Sequence, residues 1–316
     1  MQPRLIALDW GTSSLRAYCL GTGGHVLAQR ASAHGIMHLP HGNDFDAAFE
    51  QVCGDWLGAT GGVPVIACGM VGSAQGWREV PYCPAPARVA DLGERLQTLT
   101  TARGHTVHVV PGILEQGALP NVMRGEETQV LGLLRGLSPQ AQAAPLLVGL
   151  PGSHSKWVQV HEGCIEHFDT FMTGELYAVA CAHSILGRTL RQGEPFEAAA
   201  FERGVATALS ADGALGPLST AFSTRTLGLT GVLGGAEQAD YLSGLFIGHE
   251  VRALGEVIKV RQGRLPAAHL IGSEPLCQRY AKALELAGFR VAAVAAQATE
   301  RGLWAVAQAA GLVNDA

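Results

Sequence analysis

The run Leu5-Ile-Ala-Leu-Asp9-Trp-Gly11-Thr12-Ser13-Ser14 holds the residue types that phosphate chemistry needs, spaced as a strand followed by a turn. Gly11 lets the backbone turn and approach an anion, and the N–H groups and hydroxyls of Thr12, Ser13 and Ser14 then supply donors. Asp9 repels phosphate. Its use in such a turn is to hold Mg²⁺, usually through water, so that the ion neutralises the phosphates. A plain hairpin whose hydroxyls cap local backbone has the same composition. A second turn, Leu150-Pro-Gly152-Ser153-His154-Ser155-Lys156, also follows a buried apolar run. Gly152, Ser153 and Ser155 can wrap an anion, and Lys156 adds positive charge as a bridging oxygen leaves.

Between the two turns lies Met123-Arg124-Gly125-Glu126-Glu127 at the start of a helix. A carboxylate there can accept the proton of an attacking hydroxyl, although two glutamates in a first helical turn also suit the helix dipole with no chemistry attached. The loop Gly69-Met-Val-Gly-Ser73-Ala-Gln75-Gly-Trp77-Arg78 offers Ser73 and Gln75 for sugar hydroxyls, Trp77 for a sugar face and Arg78 for a carboxylate. Ile271-Gly272-Ser273-Glu274-Pro275-Leu276 joins a strand to a helix, where an adenosine can lie against the helix start with Gly272 giving backbone access. His34, His38 and His41 are spaced like metal ligands but lack a Cys or carboxylate to complete a set, and read as loop residues. Leu242, Leu245 and Phe246 read as core, and neither a G-x-x-x-x-G-K-[ST] loop nor a strand-linked G-x-G-x-x-G occurs.

The elements that must position these residues follow a repeated grammar. Residues 4–9, 14–20 and 25–31 read as a meander of three strands, and Phe45, Phe49, Val52 and Trp56 mark a helix capped by Asn43 or Asp44. A strand at Val65–Cys68, a helical face at Leu92, Leu96 and Leu99, and a strand at Val107–Val110 complete a βββαβαβ half. A helix near 125–136 leads to a second meander at 146–168, helices near 175–186 and 195–208, and a long helix from about Glu237. A strand at His269–Ile271, a helix at 275–287, a strand at 290–294 and a helix at 297–310 close the chain. Two halves of similar order, each with a polar turn between its first two strands, suggest a duplication with a cleft between them.

Hydrophobic residues at 47% and charged residues at 16% describe a globular chain. A net charge of −5, a pI near 6.2 and scattered basic residues argue against a nucleic-acid or anionic-membrane surface. Seven dispersed cysteines without a C-x-x-C fit reduced thiols. The opening MQPRLIALDW reads as strand rather than signal peptide, and no apolar stretch reaches the ~18 residues of a membrane span. A soluble, cytoplasmic protein with no membrane and no nucleic-acid partner is expected; a homodimer stays open.

Asp9-Trp-Gly-Thr-Ser-Ser-Leu-Arg16 resembles the first phosphate motif of the actin/hexokinase/Hsp70 superfamily. With GMVGSAQGWREVPYCPAPA, MRGEETQVLG, LPGSHSKWVQV, FDTFMTGELYAV and LIGSEPLCQRYAKAL, the chain from about residue 4 to 310 is similar to the 2-dehydro-3-deoxygalactonokinases. That resemblance implies two ribonuclease-H-like α/β domains of the actin/hexokinase type, each a mixed five-stranded sheet with flanking helices, and an active-site cleft between them. The expected segments are 1–120 (first phosphate turn and sugar-acid site), 121–296 (second phosphate turn and adenosine site) and 297–316, a helix returning to the N-terminal domain. It also implies ATP, Mg²⁺ and phosphorylation of the 6-hydroxyl of 2-dehydro-3-deoxy-D-galactonate in galactonate or galactose breakdown. By analogy with the broader carbohydrate kinases, Gly125-Glu126 matches the pair that carries the catalytic acid, here with Glu in place of Asp. Glu127 and Asp169 stand as alternatives, and Arg16, Arg78 or Arg124 would pair with the substrate carboxylate. The rival readings are a kinase of the same fold for another sugar, a non-catalytic sugar-acid or nucleotide sensor, and a phosphohydrolase of the same superfamily.

Overall fold

The structure is a computed structural model describing residues 2–60 and 62–314. Residues 1, 61, 315 and 316, which belong to the expected segments 1–120 and 297–316, lie outside the described residues. The chain divides into two compact units. Met1–Pro145, Val158–Phe168 and Ala296–Ala316 form the first; Leu146–Trp157 and Asp169–Ala295 form the second. No helix of the described residues is long and apolar enough to cross a membrane.

In the first unit, Leu5–Trp10 (β1), Leu15–Leu20 (β2) and Val26–Ser32 (β3) pair antiparallel, which sets Asp9 opposite Arg16. Helix Phe45–Thr60 (α1) carries the chain over to Val65–Gly69 (β4), which lies parallel to β1 and places Cys68 beside Asp9 and Gly69 beside Trp10. A parallel neighbour requires such a crossover, and strands buried on both faces read as unbroken apolar runs. Then come Cys83–Pro84 (β5), Val89–Glu94 (α2), Gln97–Thr100 (β6) and Thr106–Val109 (β7). Strand β7 joins β4 in parallel and β6 pairs antiparallel to β7, giving the order β3-β2-β1-β4-β7-β6. Ile113–Glu115 (β8) and Asn121–Met123 (β9) make a small second sheet with β5, ahead of helices Glu126–Arg135 (α3) and Pro139–Ala143 (α4).

The second unit is built on Leu146–Leu150 (β10), Ser155–His161 (β11) and Cys164–Phe171 (β12). Strands β11 and β12 contribute residues to both units, since 158–168 belongs to the first. Helices follow at Thr173–His183 (α5), Ala198–Leu209 (α6), Pro217–Thr220 (α7), Ser223–Leu229 (α8) and Gly235–Gln262 (α9). Ala268–Ile271 (β13), Glu274–Leu286 (α10) and Val291–Ala295 (β14) complete the unit, and Ala298–Ala309 (α11) returns to the first. The sheet order is β12-β11-β10-β13-β14, with β10, β13 and β14 parallel. Counted within each sheet, the first runs third, second, first, fourth, sixth, fifth and the second runs third, second, first, fourth, fifth, so the order of the first four strands is shared.

Two expectations need correction. The first sheet has six strands rather than five, because residues 97–100 form β6 and not the end of a helical face. Gln97-Thr98-Leu99-Thr100 alternates, with only Leu99 buried, so its period is that of a strand; the helix there stops at Glu94. The small sheet of β5, β8 and β9 has no counterpart among the expected elements, since strands of two or three residues carry no detectable period.

Candidate functional site

The first turn follows directly from β1. Gly11 N–H donates to the Ser14 carbonyl at 2.9 Å, while Ile36 N–H and Met37 N–H donate to the carbonyls of Gly11 and Thr12, each at 3.1 Å. Loop 34–38 therefore braces the turn from behind. A Cβ on Gly35 would lie 2.3 Å from the Thr12 carbonyl oxygen, so only glycine permits this approach. The same loop occupies His34 and His38: Trp10 Nε1 donates to the His34 carbonyl, and His34 Nδ1 lies 2.9 Å from the His38 carbonyl. Thr12 and Ser13 are left exposed. Asp9 is partly buried with 17% of its side chain accessible, and Arg16 Nη1 sits 3.3 Å from its Oδ2. Burial raises the Asp9 carboxyl above the usual range, with the Arg16 charge and hydrogen bond opposing the rise.

Three backbone segments meet at this end of the sheet. Gly69, at the end of β4, has φ +91°, and a Cβ there would lie 2.8 Å from the Trp10 carbonyl oxygen. Gly125, the N-cap of α3, has φ +108°, and its Cβ would lie 3.3 Å from Gly69 Cα. Positive φ and this closeness both call for glycine. The contacts bring Asp9, the 69–73 turn and the Glu126-Glu127 pair into one neighbourhood.

Those two glutamates differ sharply. Glu126 is half-buried, and its Oε2 accepts from Arg124 N–H at 2.9 Å. Glu127 is wholly buried; its carboxyl accepts from Gly125 N–H at 2.7 Å and from the Thr128 hydroxyl at 2.9 Å. Burial, followed by the Glu126 charge, pushes the Glu127 carboxyl up to about 8.

Arg124 lies with its guanidinium 4.3 Å above the Tyr82 ring and donates from Nη2 to the Val80 carbonyl at 2.8 Å. Its Nε and Nη1 are buried without a hydrogen-bond partner, an arrangement that native interiors seldom leave unfilled. Of the loop residues, Ser73 Oγ donates to the Met70 carbonyl at 2.8 Å, and Gln75 and Arg78 are exposed. Trp77 packs its ring among Phe45 (5.8 Å), Phe49 (5.7 Å) and Trp10 (5.6 Å), so packing accounts for it.

In the second unit a cavity of about 410 Å³ is lined by Gly152 and Ser153 of the second turn and by Ser273 and Leu276 at the start of α10. Gly272 lies behind this lining, where a Cβ would stand 3.5 Å from the Pro151 carbonyl oxygen. The structure thus brings the 152–153 turn and the strand–helix turn at 272–276, expected to carry phosphate and adenosine, to one cavity. Ser155 points elsewhere: it is buried, with Oγ 2.8 Å from Tyr280 Oη and 3.4 Å from Glu250 Oε2. Trp157 Nε1 and Tyr280 Oη also donate to Glu250, at 2.7 and 2.8 Å, so a satisfied carboxylate braces the turn from the core. Lys156, on β11, is buried and donates to Thr170 Oγ1 at 2.9 Å. Asp169 lies in the same unit, 3.4 Å from Arg261 Nη1.

Several cavity residues went unread in the sequence. Gly174 packs so tightly that its Cβ would lie 2.4 Å from the Gly152 carbonyl oxygen. Arg279 reaches the cavity while paired to Asp240 at 2.9 Å and bonded to Ser243 Oγ at 3.1 Å. A Thr-Gly directly after a strand was the available signal for the first; the second sits on a helix face indistinguishable from surface.

Among the described residues no group of three or more His, Cys, Asp or Glu side chains is set to hold a metal ion. An ion at Asp9 would draw its other ligands from phosphate and water, the usual habit of Mg²⁺. The Asp9 carboxyl, with part of its surface accessible beside a hydroxyl-rich turn, fits that role.

Comparison with known proteins agrees over the whole length. The model of the family described as 2-keto-3-deoxy-galactonokinase matches residues 9–306. The 2-dehydro-3-deoxygalactonokinase of Escherichia coli (strain K12) is 36% identical over 311 residues, 98% of this chain and 99% of that protein. The crystal structure of a Sinorhizobium meliloti protein assigned to the 2-dehydro-3-deoxygalactonokinases superposes with a TM-score of 0.84 at 34% identity, covering 96% of this chain and 98% of the other. Component A of Acidaminococcus fermentans (R)-2-hydroxyglutaryl-CoA dehydratase matches at a TM-score of 0.50 and 12% identity, over 97% and 98% of the chains, and shares only the actin/hexokinase-type fold. With its family model matched from Asp9 to Val306, this chain belongs to the 2-keto-3-deoxy-galactonokinase family of sugar kinases.

Proposed function

We propose that this chain transfers the γ-phosphoryl group of ATP to the 6-hydroxyl of 2-dehydro-3-deoxy-D-galactonate, with Mg²⁺, as a cytoplasmic step of galactonate breakdown. The observation that carries the reading is the meeting of Asp9, the 69–73 turn and Glu126 through the glycine contacts at the end of the first sheet. The Escherichia coli relative's name supplies the substrate.

In this reading Gly11, Thr12 and Ser13 donate to phosphate oxygens, as do Gly152 and Ser153. The cavity beside Gly152 takes the nucleoside, with Ser273 and Leu276 against it and Gly272 behind. Mg²⁺, when bound, supplies positive charge against the phosphates, and Asp9 would hold it. Glu126 accepts the 6-hydroxyl proton as that oxygen attacks the γ-phosphorus and the bond to ADP breaks. Glu127 has no accessible surface with which to do so, and Asp169 is paired with Arg261. Arg78, exposed in the 69–78 loop, takes the substrate carboxylate, since Nε and Nη1 of Arg124 are sealed from solvent as Glu127 is. Arg16 is engaged with Asp9.

ADP release across a panel of keto-deoxy acids, aldonic acids and hexoses should show turnover concentrated on the keto-deoxy galactonate. The Glu126→Gln variant should lose about 10²- to 10⁴-fold in kcat on that substrate. A loss of less than about tenfold would remove Glu126 as the base. Turnover restricted to a neutral hexose would remove the sugar-acid reading.

A further inference from the structure

Glu127 is a wholly buried carboxyl that the reaction itself does not touch. Helix α3 begins at Gly125, which has no side chain with which to cap it. Instead, two consecutive carboxylates reach backward: Glu126 to the Arg124 N–H, and Glu127 to the Gly125 N–H. The second of these bonds is the shorter, at 2.7 Å, and it falls on the residue held at φ +108°. Gly125 in turn lies against Gly69, and Gly69 against the Trp10 carbonyl, one residue beyond Asp9. The Thr128 hydroxyl, also buried, fixes the other carboxyl oxygen of Glu127 at 2.9 Å. This carboxyl is therefore clamped from two sides and holds the turn from which Glu126 projects.

We propose that Glu127 is a positioning residue for phosphoryl transfer, its buried carboxyl fixing the Gly125 turn and thereby the placement of Glu126 relative to the Asp9 end of β1. The inference rests on the reading of Glu126 as the base. Small displacements of a reacting group cost disproportionately, on the order of 10²-fold for 1 Å, so a bond that sets this turn acts on kcat.

The test compares the full-length Glu127→Gln and Glu127→Leu proteins with the unaltered chain. Glutamine keeps an oxygen that accepts from Gly125 N–H; leucine has similar bulk and no acceptor. The expected result is a fall in kcat of about tenfold or more for Glu127→Leu, with KM for ATP within about threefold, and kcat within about threefold for Glu127→Gln. A folded Glu127→Leu protein with undiminished kcat overturns the proposal. So does a Glu127→Gln protein as inactive as Glu127→Leu, because the negative charge or the proton would then be what matters. Should Glu127→Leu fail to fold, Thr128→Val removes the hydroxyl that fixes the Glu127 carboxyl while keeping the bulk; a kcat lowered several-fold supports the proposal and an unchanged one overturns it. Glu126→Gln, measured alongside, reports separately on the base.

Discussion

Two glutamates adjacent in sequence meet opposite environments at the start of α3. One is half-buried beside the Asp9 turn; the other is sealed in the core with two donors. The sealed one has a measurable consequence for stability. Its carboxyl is raised from 4.5 in the unfolded chain to about 8 in the folded protein, chiefly by burial. The folded state therefore keeps a proton that the unfolded state gives up, and stability from this group is fully present below about pH 4.5. It declines as pH rises toward 8 and stays low above. Glu126 and the buried Cys68 thiol face the same carboxyl and do not reverse the sign. In thermal melts of the ligand-free protein, Glu127→Gln should flatten the fall in Tm between pH 5 and 8, a difference on the order of 5 °C at the upper end. Parallel pH profiles for the two proteins would show that the carboxyl is not displaced upward.

At the scale of elements, the first unit depends on backbones that touch. Helix α11 crosses α3 at two glycines: a Cβ on Gly132 would lie 1.7 Å from the Ala298 carbonyl oxygen, and one on Gly302 1.8 Å from that of Thr128. Backbone atoms cannot yield as a flexible side chain can, so Gly302→Ala should force the helices apart and cost about 1–3 kcal/mol. Gly58, exposed in α1 with open space around it, is the contrasting case; Gly58→Ala should be neutral or stabilising by about 0.5–1 kcal/mol. Denaturant midpoints of the two variants give the comparison, and equal midpoints would mean that the α3–α11 crossing is not tight. The second unit uses a different device: the Glu250 carboxylate, with Ser155, Trp157 and Tyr280 around it, braces the turn beside the cavity.

For the molecule as a whole, ligand binding is coupled to folding. A nucleotide that binds only the folded chain stabilises it by about 2.7 kcal/mol at a hundredfold excess over Kd. Mg-ATP should accordingly raise Tm, and Gly152→Val, which places a branched side chain on the cavity lining, should abolish most of the rise while leaving the ligand-free Tm within a few degrees. An undiminished shift in that variant would move the nucleotide away from the 152–153 turn. The first four strands follow the same order in the two sheets, and each of the two polar turns is the hairpin between the first two strands of its half.

Features that are local in the chain are legible in the amino-acid sequence by itself. The Asp9 and Gly152 turns, the two meanders and the start of α3 all follow from runs of neighbouring residues, where periodicity and turn chemistry act directly. So does the family, through motifs spread from Asp9 to Val306. What tertiary structure alone decided was burial and partnership. It sealed Glu127 while leaving Glu126 accessible, left two Arg124 nitrogens without partners, and drew Ser155 to Glu250 and Tyr280, some 95 and 125 residues away. It also packed Trp77 onto Phe45 and Phe49 instead of leaving its face open. Each of these outcomes is set by atoms distant in sequence. A side chain's environment, and with it its charge and reach, exists only once those distant segments have packed.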